Sequence, residues 1–345
     1  MPRLTIIIPY LKSDSSERLE ETLASVLENR SESTDVCVIN AGQYYDPYNI
    51  EAEGVRFLEA HAQNSLLDCI NLGLHESQSD FIHPILCGAI VKNDWTLKPL
   101  KRLENPDIFA VIPLVIEMEE ENDLSEQSQI MNAVQHSVHK TVHAGYVYRR
   151  NGSVFPLKRN TTIQRWDCIA PHIGGAFFRR SSLEELGGFQ TTVSPQIAYI
   201  DTSLLFSSLK ERTVWEVNSI LYYPQGYFAS EQKKDALQWI TEQEQLYSRW
   251  HDLGERLGTG FSHQMRIWNE LLHGLFQGNF FKILTAFRNG KVSGALAQKQ
   301  SLIRQIKSTR SNSSLSSQSS FANDSLMRPK SISEFPRETS KNELF

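Results

Sequence analysis

Along the first hundred positions, short unbroken apolar runs alternate with longer stretches that repeat at helical spacing. Residues 4–8 form a β-branched run, too apolar for a half-exposed strand and suited to burial on both faces. Leu19, Leu23, Val26 and Leu27 then recur every three or four positions and give the following segment one apolar face. Asp14, with Glu17 three residues on, predicts a capping box at its start. Strands over 35–40 and 54–58, a helix over 65–75 and a buried strand over 81–86 continue the alternation. Such alternation predicts a parallel α/β sheet, whose ligand belongs at the strand ends.

Asn105-Pro106 precedes another strand over 107–115, and the acidic run Glu117 to Asp123 reads as a solvated loop. A hairpin is expected over 144–156, with Arg149-Arg150-Asn151-Gly152 at its turn. A strand over 173–178 leads to Ser181 and Glu184, a second capping box, and Gly187-Gly188 stop that short helix. A helix over 197–209 and a strand over 213–217 follow. Beyond about residue 230 the pattern is helical, with Leu237, Ile240, Leu246, Trp250 and Leu253 on one face and a second helical stretch over 265–287. From Ser308 serine dominates, and such a segment buries too little apolar area to offset its ordering entropy. The expected organisation is a sheet domain over 1–228, a helical extension over 229–307 and a disordered tail over 308–345.

Composition changes this picture little. The 345 residues are 40% hydrophobic and 22% charged, ordinary for a globular protein, and the net charge of −5 gives no reason to expect nucleic acid as a partner. No apolar run approaches the roughly 18 residues that span a bilayer, and the first strand begins too early to leave room for a secretory leader. The expected address is the cytoplasm. Cys37, Cys69, Cys87 and Cys168 are far apart, against both a zinc site and a disulfide framework. Between residues 271 and 323 there is no acidic residue, while Lys282, Arg288, Lys291, Lys299, Arg304, Lys307 and Arg310 lie near Phe280, Phe281 and Phe287. A basic amphipathic segment can make peripheral contact with the inner membrane face; a packed helix followed by a solvated basic tail is the plainer reading.

Five segments in order resemble the family-2 glycosyltransferases, covering roughly residues 4 to 225. They are Ile7-Ile8-Pro9-Tyr10; Val38-Ile39-Asn40-Ala41-Gly42; Asn71-Leu72-Gly73-Leu74; the run from Phe81 to Asp94-Trp95; and Gly174-Gly175-Ala176-Phe177-Phe178-Arg179-Arg180 with Leu183 to Phe189, followed by Tyr199-Ile200-Asp201. The resemblance implies the GT-A fold, a mixed α/β sheet flanked by helices. It also implies a nucleotide-sugar donor, a glycan or lipid-linked acceptor such as a cell-surface precursor, and inverting transfer. Pro9, Tyr10, Asn40, Gly42, Asn71, Gly73, Cys87 and Gly88 fall at its donor-side positions, and Gly174, Gly175, Arg179 and Arg180 at its acceptor or phosphate side. Asp201 falls at the position of its catalytic base. No Gly-x-Gly-x-x-Gly and no Walker sequence supports a different nucleotide fold.

Departures are as informative. Where that family carries Asp-x-Asp, this chain has Leu86-Cys87-Gly88, whose side chains offer no carboxylate pair for Mg²⁺ or Mn²⁺. No metal cofactor is therefore expected at the triplet. Asn40 and Ala41 replace the acids of the second strand, Ile70 an arginine, and Ile200 a glutamate. Transfer still needs a base for the acceptor hydroxyl and positive charge for the leaving diphosphate. Arg179, Arg180 or Lys92 can supply that charge; Asp94 or Asp46 can supply ligands from elsewhere; or the domain is a silent one that binds a glycan, a nucleotide or a protein. Asp201 can equally be a helix cap. His136, His139 and His143 would share one face if their segment were helical, the spacing of a metal site.

Overall fold

The computed structural model describes residues 2–118, 141–149, 152–157, 168–229 and 236–255. The readings at His136 and His139, the helix over 265–287, the basic segment and the serine-rich tail lie outside the described residues. No described helix is long and apolar enough to cross a membrane.

The chain begins β1 (Leu4–Tyr10), α1 (Ser16–Asn29), β2 (Thr34–Asn40), β3 (Val55–Glu59), α2 (Leu66–Glu76) and β4 (Phe81–Pro84). All seven residues of β1 are buried, as its unbroken apolar run requires. Next come β5 (Ile90–Val91), α3 (Leu97–Leu103), β6 (Ile108–Met118), β7 (Thr141–His143), β8 (Tyr146–Tyr148), β9 (Val154–Pro156) and β10 (Cys168–Ala170). The last described elements are β11 (Phe177–Arg179), α4 (Arg180–Glu185), α5 (Pro195–Ser208), β12 (Arg212–Pro224) and α6 (Ala236–Glu255).

Nine strands form one mixed sheet in the order β3-β2-β1-β4-β11-β6-β12-β5, with β7 paired to β6. Strands β1 to β4 are mutually parallel along that order, and β11 runs antiparallel between β4 and β6. A separate antiparallel sheet, β10-β8-β9, contains the expected hairpin. Helix α6 packs on α5: Leu246 and Trp250 are buried, and Glu242 accepts both the backbone N–H and the hydroxyl of Ser194. The first helix of the expected extension is thus continuous with the packing of the sheet domain.

Four local expectations are corrected. Ser15, not Asp14, caps α1, and the Asp14 carboxylate accepts the Leu11 N–H at 2.8 Å, holding the loop before the helix. Helix α4 starts at Arg180, so Ser181 is inside it and no side chain caps it; Glu184 pairs with Arg180 one turn back. Strand β12 runs on past 217 to Pro224, because an irregularity between Glu216 and Ile220 absorbs the polar residues and exposes Val217. Glu117 is not in a solvated loop but buried at the end of β6, where it accepts the Phe228 N–H at 2.8 Å.

Two packing features of the sheet can be tested. A Cβ added at Gly73 would lie 2.6 Å from Ile7 Cγ2, so the glycine lets α2 lie directly on β1. Gly73→Ala should lower the unfolding free energy by about 1–3 kcal/mol through overpacking, read from chemical denaturation; an unchanged midpoint would show that Ile7 yields freely. The second feature is His83 on β4, fully buried and stacked on Phe177 at 3.7 Å, with Nδ1 2.8 Å from the Ala176 carbonyl oxygen. Burial depresses its pKa from 6.5 to about 3. The unfolded chain therefore binds the proton first, so this contribution is complete above the unfolded value and drains as pH falls toward the folded one. The loss is about 1.4 kcal/mol per pH unit below the unfolded pKa. Melting curves between pH 7 and pH 5 should fall more steeply for wild type than for His83→Gln. Parallel curves would contradict the assignment.

Candidate active site

The sheet order defines where a ligand belongs. From β1 the chain moves outward to β2 and β3, then returns through α2 to place β4 on the other side of β1. A crevice at such a switch point opens beyond the carboxyl ends of the two strands. Here those ends are Pro9-Tyr10 and Leu86-Cys87-Gly88, and the Cys87 thiol joins them by donating to the Pro9 carbonyl oxygen at 3.3 Å.

On the β2 side of the crevice, Tyr10 packs edge-on to Tyr44 at 5.6 Å, and Tyr44 stacks on Phe57. Gly42 has no room for a side chain, since a Cβ would sit 2.6 Å from the Tyr10 ring. Asn40 occupies the end of β2, where its side-chain amide donates to Tyr44 O and Glu59 Oε1 and its oxygen accepts the Tyr44 N–H at 2.7 Å. Asn40 thereby fixes the loop that carries Tyr44.

The triplet is held from three directions. The Gly88 N–H donates to Arg18 O and Thr22 Oγ1, tying the strand end to the first turns of α1. Tyr227 donates its hydroxyl to Cys87 O at 2.6 Å. The Tyr223 hydroxyl accepts from the Leu86 N–H and donates to the Gly174 carbonyl oxygen. One phenol thus joins the triplet to the Gly174-Gly175 loop. That loop is only bridged to the sheet, at Ile85, so the expected strand over 173–178 shortens to β11. Both glycines are crowded: a Cβ at Gly174 would meet Phe228 at 2.8 Å, and one at Gly175 would run into Leu221.

Beyond Gly174 lies a polar group in which His172, not singled out by the sequence, meets His143 and Glu117. The His172 Nδ1 accepts the Gly174 N–H at 3.1 Å, and its ring stacks on His143 at 4.6 Å. His143 Nε2 in turn lies 3.5 Å from Glu117 Oε2. Burial holds both imidazoles below the ordinary histidine range. His143 is on β7, a strand, so the helical premise of the histidine spacing fails there. The readable signal for this corner was the aromatic density of Tyr222-Tyr223 and Tyr227-Phe228.

Other predicted site residues lie apart from the crevice. Asn71 accepts the Phe189 N–H and donates to the Phe189 carbonyl oxygen, splinting α2 to the loop after α4. Gly73 rests on Ile7, in the middle of β1. The antiparallel direction of β11 carries Arg179 and Arg180 to the opposite end of the sheet, level with Phe81 at the start of β4. There Arg179 donates to the carbonyl oxygens of Leu103, Asn105 and Ile108, and Arg180 to that of Ser79. Lys92 lies over the Tyr222 ring at 5.1 Å. Asp46 accepts the N–H groups of Tyr48 and Glu51.

Asp201 is in the middle of α5 rather than at its start, which removes the cap reading. It is 1% exposed. Trp250 Nε1 donates to its Oδ1 at 2.7 Å, and Arg249 pairs with its Oδ2 at 2.9 Å.

The fit of a divalent metal at the triplet is poor on chemistry alone. Leu86 is apolar, Gly88 has no side chain, and burial pushes the Cys87 thiol well above its ordinary value, so it remains neutral. Mg²⁺ and Mn²⁺ require oxygen donors, and a neutral thiol is not one. The neighbouring Asp14 is already engaged by the Leu11 N–H. Among the described residues, no group of three or more His, Cys, Asp or Glu side chains is placed to hold an ion. Cys37, Cys69 and Cys87 are free and buried.

No known family and no curated protein matches this chain. Solved structures do. One is GalNAc-T7 in complex with UDP, GalNAc and Mn²⁺, at 10% identity and a TM-score of 0.53, over 74% of this chain and 49% of that one. The chain thus spans about half the length of that structure. Another is a mannosyltransferase from Pyrobaculum calidifontis in complex with GDP-mannose and Mn²⁺, at 16% identity and a TM-score of 0.47, over 91% and 81%. The mixed sheet with its flanking helices is a glycosyltransferase fold of the GT-A type.

Proposed function

We propose that the chain binds a nucleotide-activated sugar in the crevice between β1 and β4. It would transfer the sugar, with inversion, to a glycan or lipid-linked acceptor, with no divalent metal at Leu86-Cys87-Gly88. The observation that carries this reading is the switch point itself. It lies where an α/β sheet takes its ligand, in a fold shared with a solved structure that holds UDP. Tyr10, Gly42 and Asn40 would border the nucleoside and Cys87 and Gly88 the diphosphate. Gly174 and Gly175, joined to the triplet through Tyr223, would border the sugar and acceptor.

In this reading Asp201 takes the proton of the acceptor hydroxyl, with Arg249 and Trp250 orienting its carboxylate. The alternative is a silent GT-A domain that binds a glycan, a nucleotide or a protein. One observation favours it: the same two partners occupy both oxygens of an almost fully buried carboxylate.

Two measurements decide these points. Titration calorimetry with UDP and GDP should give dissociation constants in EDTA and in Mn²⁺ that agree within about tenfold, near 1.4 kcal/mol. A larger gain with metal would overturn the metal-free reading. Turnover of the donor that binds, with glycan and lipid-linked acceptors, should fall on the order of 10²–10⁴ in Asp201→Asn, with donor affinity little changed. An unaltered rate would remove Asp201 from the chemistry. A wild type that binds a nucleotide sugar but transfers it to no acceptor would favour the silent domain.

A further inference from the structure

Arg18 stands in the first turn of α1, and its stem lies beside Gly88. The backbone of Gly88 adopts φ +91°, a left-handed conformation that residues with side chains rarely take. A Cβ there would point at Tyr227 Cε2, 3.2 Å away, and at Arg18 Cδ, 3.6 Å away. The Arg18 stem therefore lies against the very face of the triplet from which a metal-binding carboxylate would have to emerge. Its guanidinium lies over the Tyr227 ring, with Cζ 5.6 Å from the centroid, while the Tyr227 hydroxyl is anchored on Cys87 O.

Arg18 is exposed, and it makes no salt bridge among the described residues. Its backbone is nevertheless placed beside the triplet, because the Arg18 carbonyl oxygen accepts the Gly88 N–H at 3.1 Å. Arg179 and Arg180 are committed to backbone carbonyls at the far end of the sheet, and Lys92 follows β5 and lies over the Tyr222 ring rather than beside Gly88. Asp14 is the nearby acid. Burial raises its pKa while Arg18 lowers it, and its carboxylate accepts the Leu11 N–H rather than closing a pair with the guanidinium.

We propose that Arg18 is the diphosphate-binding cation of this site, occupying with its guanidinium the place that a divalent metal takes where the triplet carries carboxylates. A planar guanidinium presents paired N–H donors that match two phosphate oxygens, and the cation–π contact with Tyr227 does not spend those donors. Gly88 is the other half of the arrangement, since its positive φ disfavours a side chain and a Cβ there would press on Tyr227 at 3.2 Å.

The proposal rests on the nucleotide reading, so the test separates the two. Affinities of UDP, GDP, CDP and dTDP, and of the four corresponding nucleosides, are measured in EDTA for the full chain, Arg18→Gln and Arg18→Lys. The nucleoside that binds should do so equally well in all three proteins. Its diphosphate should bind wild type more tightly, Arg18→Gln at least about tenfold more weakly than wild type, and Arg18→Lys in between. A diphosphate affinity unchanged in Arg18→Gln would overturn the role of Arg18 while leaving the nucleotide site standing. An equal loss for the nucleoside would overturn it as well, because a cation acting on phosphate cannot weaken a ligand that has none. A wild type that binds none of the eight compounds would overturn the nucleotide reading and the proposal with it.

Discussion

Tyr223 brings a phenol into the apolar core, where an unpaired hydroxyl would cost a few kcal/mol. Its oxygen is satisfied twice, by the Leu86 N–H and by the Gly174 carbonyl, two backbone groups from segments 88 residues apart in sequence. Neither group has a strand partner at that point, because β4 has ended and β11 has not begun. The hydroxyl thus stands in for missing ladder bonds and fixes the distance between the triplet and the glycine loop. The rest of the corner is built on that distance. Phe228 fits over Gly174, Tyr227 reaches Cys87, and Gly88 meets the first turns of α1.

The same corner explains in physical terms why a carboxylate pair would fit poorly at Leu86-Cys87-Gly88. A carboxylate at Leu86 or Cys87 would be buried among apolar side chains, and one at Gly88 would press on Tyr227 and meet the Arg18 stem. With a neutral thiol and a glycine in place of acids, the positive charge required beside a diphosphate has to come from a side chain. The structure brings one arginine to that place. In the proposed site the charge that complements the diphosphate is carried by a residue rather than by an ion.

Sequence reading recovered what burial alone dictates. β1 is legible because all its residues are buried, and α1 because its apolar positions repeat on one face. It failed where long-range partners decide. Arg179 and Arg180 follow the glycine loop closely in sequence, yet the direction of β11 carries them to the other end of the sheet, and strand direction leaves no local mark. Asn71 and Gly73 were legible as a motif, but in the structure they splint a helix to a loop and seat it on Ile7. Asp201 was found by position, whereas its partners Arg249 and Trp250 come from a helix almost fifty residues on. Glu117 looked like one acid of an exposed run, because nothing local says that Phe228 will donate to it.

The central claim is that this GT-A frame holds a nucleoside diphosphate beside Gly88 through protein groups rather than through a metal ion. The most direct measurement is a crystal structure grown with the preferred nucleoside diphosphate and excess Mn²⁺, with anomalous data collected at the manganese edge. The account predicts density for the diphosphate in the crevice between Tyr10 and Gly88, within hydrogen-bonding distance of the Arg18 guanidinium, and no anomalous peak between the phosphates and the triplet. A manganese peak bridging the phosphates there would contradict it.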